Sequence, residues 1–345
     1  MSKMTIPSTY RALSLGIHIT DLKEAVSQLQ VVEKSTPKLQ SKQVLIKMEG
    51  AACNPSDLLT LTGSYGVKKA LPMVPGWVGV GTVVATGKSP LTKWLKGKRV
   101  VCGTQAANED GTWAEYFVTD YMMCLPVSNK IETAQAANLM LNPLTAIGLI
   151  DIAVKTKAKA IVQNAAMGQV GKLVTYFAAK KGIEVIQVVR KEAQVAQLKA
   201  EGNQYVLNSS DENFEKDLRK LSSDLNATVG LDAVGGTLAG AMLNLLPAKA
   251  RWVVYGDLSG EAVSGFDPME LLYQDKTIEG FHLKNWLDQQ SMLRIMRKMS
   301  MVKKLLEKGT ISMQFGQEAT IEDATDALRL YVEDMSNAKL LLKFN

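Results

Sequence analysis

Histidine is nearly missing from this chain: His18 and His282 are the only two in 345 residues. Cysteine is almost as scarce, and Cys53, Cys102 and Cys124 are odd in number and far apart. That pattern excludes a disulfide framework and suits a reducing compartment. A catalytic zinc needs Cys, His or carboxylate ligands in a cluster. Neither histidine lies near a cysteine or beside a His-Glu pair, so no metal is expected. No apolar run approaches the ~18 residues that span a bilayer. Residues 1–5 lead into no apolar segment with a small-residue cleavage site, so a soluble, cytoplasmic protein is expected. Charge of one sign is also in short supply, with 40 Lys+Arg against 34 Asp+Glu. The basic residues are scattered and no base-reading motif accompanies them, so no nucleic-acid partner is expected. There is no internal repeat and no low-complexity segment.

What is present is an ordinary apolar fraction, 46%, in a chain long enough for two domains with real cores. The most informative stretch is 160–191. Residues 160–164 form a short apolar run that reads as a buried strand, ending in Gln163-Asn164. A tight turn follows through Ala166, Met167, Gly168, Gln169, Val170 and Gly171. Val170, Leu173, Val174, Phe177 and Ala178 then recur with helical spacing. Lys180, Lys181 and Gly182 stop that helix, and 184–189 is the next strand. This β-turn-α-β unit places glycines where a backbone approaches a pyrophosphate on a helix N-terminus. On its own such a turn is equally a plain strand-to-helix connection, since Ala166 stands where the first glycine belongs. The end of the second strand favours the dinucleotide reading, with a solvated basic strand end as the alternative. An NAD site places Asp or Glu there, whereas this chain has Val188-Val189-Arg190-Lys191. Arg190 can pair a 2′-phosphate through its planar fork, so NADPH is the expected cofactor.

Before this unit, 43–48 reads as a strand closed by the Asn54-Pro55-Ser56-Asp57 turn. Residues 71–85, LPMVPGWVGVGTVVA, read as twisted strands with bulges. Residues 97–101 and 111–116 add a turn-strand pair and a closing strand. Short strands at regular spacing predict an all-β, barrel-like domain. After the phosphate unit, helices at 195–202, 213–223 and 238–246 alternate with strands at 204–208, 229–232, 251–256 and 277–283. That alternation predicts a parallel sheet with helices on both faces. Ligands then sit at the carboxyl ends of its strands, where Asn164, Arg190, Val234 and Gly256 fall. Helices at 289–308 and 321–335 and a last strand at 339–344 return to the first domain. The methionines at 292, 296, 299 and 301 read as core filling. The strand at 277–283 ends the sheet and invites pairing with a two-fold mate, so a homodimer is expected.

The order NPSD, LPMVPGWVGVGTV, GKRVV, GTWAEY, NPLTA and a strand with A-x-x-G-x-x-G resembles the medium-chain dehydrogenase/reductase superfamily. The resemblance covers roughly residues 36–344. It is nearest to the zinc-free quinone oxidoreductases and the trans-2-enoyl thioester reductases. Gln163-Asn164-Ala165, Val188-Val189-Arg190 and the run GFHLKNW at 280–286 favour the second group. The resemblance implies an α/β chain: a GroES-like β-barrel catalytic domain at 1–128 and 290–345, and a Rossmann domain at 129–289. The superfamily's zinc positions appear here as the NPSD turn and Gly76-Trp77, and its four-cysteine lobe is missing. Trp77-Val78 stands where the family carries Asn-Glu or His-Glu, a departure that reshapes the substrate entrance.

The resemblance also implies roles. Tyr65, in Gly63-Ser64-Tyr65-Gly66, matches the proton donor of the enoyl thioester reductases, and its alternative is a turn aromatic covering the core. Asn54 would orient the nicotinamide ribose or carbonyl oxygen, or else form an Asx turn. Thr145 would lie near the nicotinamide, or cap a helix after Asn142-Pro143. Tyr205 would cover the adenosine phosphate, or be a half-buried strand residue. Phe281 and Leu283 would line the cofactor, and Trp286, with Trp77, an apolar substrate pocket. The expected activity is zinc-independent, NADPH-dependent hydride transfer to an activated C=C of an enoyl thioester or enone. The alternatives are quinone reduction and a non-catalytic, nucleotide-bound interaction protein.

Overall fold

The computed structural model describes residues 6–104, 109–313, 315–333, 335 and 339–344. The opening residues 1–5, on which the expectation of no leader rests, lie outside them. The chain divides into two compact units, Met1–Leu141 with Met299–Asn345, and Asn142–Lys298. The first cut is at the Asn142-Pro143 run, later than the expected 128/129 boundary. The second comes at 299, inside a helix.

In the first unit, β1 (Thr9–Ser14) and β2 (Gln30–Ser35) pair antiparallel around α1 (Leu22–Ser27). Then come β3 (Gln43–Ala52), α2 (Pro55–Leu61), β4 (Val78–Thr86), α3 (Pro90–Lys93), β5 (Arg99–Gly103), β6 (Tyr116–Asp120), β7 (Cys124–Pro126) and α4 (Thr133–Ala137). The later boundary follows from α4, which packs on β3 and β4. The NPSD segment does more than turn. Asn54 is the N-cap of α2, Pro55 occupies its first position, and Asp57 reaches back to the Asn54 N–H at 2.7 Å. These are helix-start signals that a turn reading stops short of.

The second unit contains α5 (Asn142–Lys155), β8 (Ala160–Gln163), α6 (Gln169–Ala179), β9 (Glu184–Val189), α7 (Glu192–Ala200), β10 (Tyr205–Asn208), α8 (Phe214–Asp224), β11 (Ala227–Asp232), α9 (Gly236–Leu245), β12 (Arg251–Val254), α10 (Pro268–Tyr273), β13 (Thr277–Gly280), α11 (Leu283–Asp288) and the start of α12 (Met292–Glu307). Its six strands are all parallel, in the order β10-β9-β8-β11-β12-β13. The order reverses beside β8, which opens a crevice at the carboxyl ends of β8 and β11. Buried on both faces, the inner strands β8 and β9 carry nearly continuous apolar residues such as Ile161, Val162, Ile186 and Val188.

Met299 onward returns to the first unit, which β14 (Phe315–Ala319), α13 (Ala324–Glu333) and β15 (Lys339–Lys343) complete. Its main sheet runs β14-β15-β3-β4-β5-β7, with β6 also on β3. The end of β3 is flanked by β15, where Ala52 faces Leu341. The core gathers Leu13, Ile46, Trp113, Phe117 and Leu342, all under 2% exposed.

Two expectations need correction. Of the methionine-rich run only Met299 is buried; Met301 points off the stripe that Met299, Val302 and Leu306 form, and Met292 and Met296 share that face in earlier turns that no described residue covers. The strand at 277–283 stops at Gly280, and α11 begins at Leu283. Among the described residues no helix is long and apolar enough to cross a membrane.

Candidate active site and dinucleotide cradle

In the first unit the site is built around Trp77. Gly76 holds φ +99°, and a Cβ there would meet the Thr112 and Trp113 side chains at 2.5 Å, so only glycine makes this turn. The turn delivers Trp77 into the interior, 6% exposed. Its backbone N–H donates to Asp57 at 2.9 Å, and its indole Nε1–H donates to the Thr60 hydroxyl at 2.8 Å. The Tyr65 ring centre lies 5.2 Å from the indole, tilted by 45°. The Lys69 ammonium sits over the indole at 4.7 Å. Trp77 is therefore an interior platform shared by Tyr65 and Lys69.

Asn54 is 1% exposed, and its side-chain oxygen accepts from the Lys339 ammonium at the start of β15. Among the described residues its amide nitrogen makes only a long 3.4 Å contact with the Ala52 carbonyl. Asp57, fully buried, has its pKa pushed up to about 6 by burial, against the opposing backbone N–H donors of Asn54 and Trp77. Burial lowers Lys339 to about 8, against the pull of Cys53 and Asp57. Burial likewise lowers Lys69 to about 8. Tyr65 is raised, by burial first and by the Asp57 charge second.

The second unit holds the glycine turn expected to take a pyrophosphate. Ala165 at φ +48° turns the chain out of β8, and Gly168 is the N-cap of α6. A Cβ on Gly171 would meet the Ala166 carbonyl oxygen at 2.6 Å, so this glycine lets helix and strand end approach. Met167, Gly168, Gln169 and Val170 thus line the α6 N-terminus, with Gln169 accepting from Asn142 at 2.9 Å. Asn164 spans the crevice floor. Its amide nitrogen donates to Asp232 at 2.5 Å, and its oxygen accepts from the Ala233 N–H at 2.8 Å. Asp232, 0% exposed, also accepts from Val234, Gly235 and the Trp252 indole. Asn164 therefore ties β8 to β11 and has little left for a ligand. Gly256 packs against Ala233, where a Cβ would meet backbone at 2.8 Å.

Arg190 follows β9 and is exposed; among the described residues its guanidinium makes no ion pair. Ser210 donates to the Arg190 carbonyl at 3.2 Å, bringing the end of β10 alongside. Tyr205 does not share this place. It opens β10, three residues and about 10 Å of strand rise before Asn208, and packs against the unit's core. Ser209 and Ser210 occupy the position expected of it.

Thr145 lies inside the first turn of α5, because the helix starts at Asn142 and leaves it no capping position. Phe281 and Trp286 stack 6.5 Å apart against α5, where Gly148 has no Cβ to obstruct the Phe281 ring. Trp286 is 6% exposed and carries the Lys298 ammonium at 5.2 Å. Both aromatics are packed within the second unit's own interior, and Leu283 is half-buried at the start of α11.

The residues that pattern alone passes over are Lys69, Lys339 and Asp232. Asp232 had a signal, an acid at a strand end before a glycine pair. The two lysines had none, since burial at long range makes them unusual.

A family model for the alcohol dehydrogenase GroES-like domain matches residues 40–129, and one for zinc-binding dehydrogenases matches 170–298. The mitochondrial enoyl-[acyl-carrier-protein] reductase of Arabidopsis thaliana is 30% identical over 267 residues, 76% of this chain and 70% of that protein. The Rattus norvegicus enzyme of the same name is 28% identical over 347 residues, 99% of this chain and 90% of its own. The crystal structure of a Mesorhizobium loti protein assigned as an NADPH:quinone reductase aligns with TM-score 0.90 and 34% identity, covering 99% of this chain and 100% of that one. The chain belongs to the medium-chain dehydrogenase/reductase superfamily. Its two units are the superfamily's GroES-like and Rossmann-type parts.

A zinc ion, implied by the name of one family model, does not fit the residues of this superfamily member. Asn54 and Trp77 offer no anionic ligand, burial pushes the Cys53 thiol well up, and Asp57 is spent on two backbone N–H groups. Among the described residues no three His, Cys, Asp or Glu side chains gather as a metal set.

Proposed function

We propose that this oxidoreductase uses NADPH to reduce an activated carbon–carbon double bond in an enoyl thioester or enone. The observation that carries the reading is Tyr65, a half-buried phenol leaning on Trp77 beside the buried Asn54–Asp57 turn. Burial and the Asp57 charge hold its proton on at neutral pH. A positioned acid of this kind can protonate the substrate's α-carbon as the β-carbon is reduced. When bound, NADPH supplies the hydride. Asn54 keeps an amide N–H to orient the nicotinamide ribose or a carbonyl oxygen, since Lys339 already occupies its oxygen. Arg190 pairs the 2′-phosphate, and the α6 N-terminus at Gly168 to Val170 takes the pyrophosphate. Gly256, Val234, Thr145, Phe281 and Leu283 remain secondary contacts in this reading. The names of the curated relatives support it.

NADPH oxidation should be followed with crotonyl-CoA and with 1,4-naphthoquinone. Reduction of the thioester, lost by roughly 10²-fold in Tyr65→Phe, is the expected outcome. Unchanged turnover in that variant removes Tyr65 from the acid role. A faster reaction with the quinone, unaffected by Tyr65→Phe, would favour quinone reduction, the reading that the 34% identical neighbour supports. Tight NADPH binding with no turnover on either would favour a non-catalytic protein.

A homodimer belongs to the same reading. The edge strand β13 exposes Ile278, and α10 buries none of its residues while Leu272 and Tyr273 are 66% and 77% exposed. Sedimentation as a monomer at micromolar concentration would end that part. A cytoplasmic location is also proposed, in keeping with three free thiols.

A further inference from the structure

Lys69 lies in the same long connection between α2 and β4 that carries Tyr65, and it is 4% exposed. Its ammonium has three N–H groups. One donates to the Glu109 carbonyl at 2.7 Å, and the charge rests over the Trp77 ring at 4.7 Å. Among the described residues no carboxylate forms an ion pair with it, although Asp110, Asp57 and Glu109 lie near enough to act on its charge. A buried cation without a close counter-charge is costly, and an apolar chain of the same length would pack there with less penalty. Tyr65 lies against the same indole at 5.2 Å. Ammonium and phenol ring centre are therefore no more than about 10 Å apart across the buried indole, a distance at which unit charges still interact.

We propose that Lys69 is a positioning residue for Tyr65: its charge, set by the shared Trp77 platform, stabilises the phenolate left once the phenol has given up its proton. The inference rests on the proton-donor reading of Tyr65. In the step itself the phenol O–H bond breaks and a C–H bond forms at the α-carbon. The O–H electron pair stays on the phenolate oxygen, and water later returns a proton. Burial and Asp57 both oppose that phenolate. A nearby cation offsets them.

The test is a double-mutant cycle with Lys69→Met, Lys69→Arg and Tyr65→Phe, read by NADPH oxidation with crotonyl-CoA and by thermal unfolding. Lys69→Met should lower kcat at least tenfold, leave KM for NADPH within twofold, and keep or raise Tm. Lys69→Arg should restore at least a third of the lost kcat. In the Tyr65→Phe background, Lys69→Met should change kcat by less than twofold. A purely structural lysine would instead lower Tm together with kcat, and that result overturns the proposal. So does full kcat in Lys69→Met, or an equal loss in both backgrounds. If Tyr65→Phe alone keeps wild-type turnover, the proton-donor reading fails and this partnership with it; if Tyr65→Phe is inactive and the losses multiply, only the partnership fails.

Discussion

Lys276 in the second unit and Lys69 in the first are both 4% exposed, yet they are held in opposite ways. Lys276 donates to the Leu243 and Asn244 carbonyls at 3.1 and 3.2 Å and pairs with Glu270 at 2.5 Å. All three of its N–H groups have acceptors, so it staples α9, α10 and the approach to β13. Among the described residues Lys69 has one carbonyl and an indole face. The contrast teaches that burial alone does not mark a functional charge. What marks it is burial with hydrogen-bonding capacity left over, and that occurs beside Tyr65.

The comparison breaks if both lysines respond alike to loss of charge. The largest effect expected is for Lys276→Met, which strands Glu270 and two carbonyls and should cost about 3–5 kcal/mol in denaturant unfolding. Lys69→Met should move the other way. Its pKa is lowered in the fold from 10.5 to about 8, so the native state binds fewer protons than the unfolded chain in that window. Stability referable to this group is present above 10.5 and is lost as pH falls through about 8. The methionine variant should therefore gain about 3 kcal/mol over wild type at pH 7. That gain should shrink above about pH 8 and vanish past 10.5 in unfolding curves taken across the range.

Arg190→Ala sharpens the contrast between spent and unspent cations. It should weaken NADPH binding by about 1.5–3 kcal/mol and leave NADH nearly unchanged, as read by fluorescence titration. Equal losses for both would place the guanidinium away from the 2′-phosphate. The smallest effect is expected for Asn164→Ala, which removes a tie between β8 and β11. About 1–2 kcal/mol of stability should go, with NADPH affinity per folded molecule little changed. A selective loss of affinity would return Asn164 to the cofactor.

How much could be read in advance differed between the units for the same physical reason. The second unit is written in local signals: Gly168 and Gly171 at a strand-to-helix turn, continuous apolar strands, and Arg190 at a strand end. Each depends on near neighbours, so each is visible in the order of residues. Tyr205 opens β10, and only the parallel pairing with β9, which sets it beside Ile186, shows that its end of the strand lies away from Arg190. Thr145 could not be capping because the helix begins earlier, at Asn142. In the first unit the NPSD run was legible as a chain reversal, but its Asp57 acquires its raised pKa only from distant walls. Lys69 and Lys339 look like ordinary surface lysines, and nothing local distinguishes them. α10 lacks an apolar stripe facing inward, and the short exposed β14 lacks alternation, so neither announces itself.

The pairing of β15 with β3 has a temporal side. The second unit is one continuous segment, 142–298, whereas the first needs Leu341 beside Ala52 and Lys339 on Asn54. On a ribosome the parallel-sheet unit can mature while synthesis continues, but the surroundings of Asn54 stay incomplete until the last strand has emerged. On the proposed reading, a stalled or clipped nascent chain would capture dinucleotide without being able to spend it.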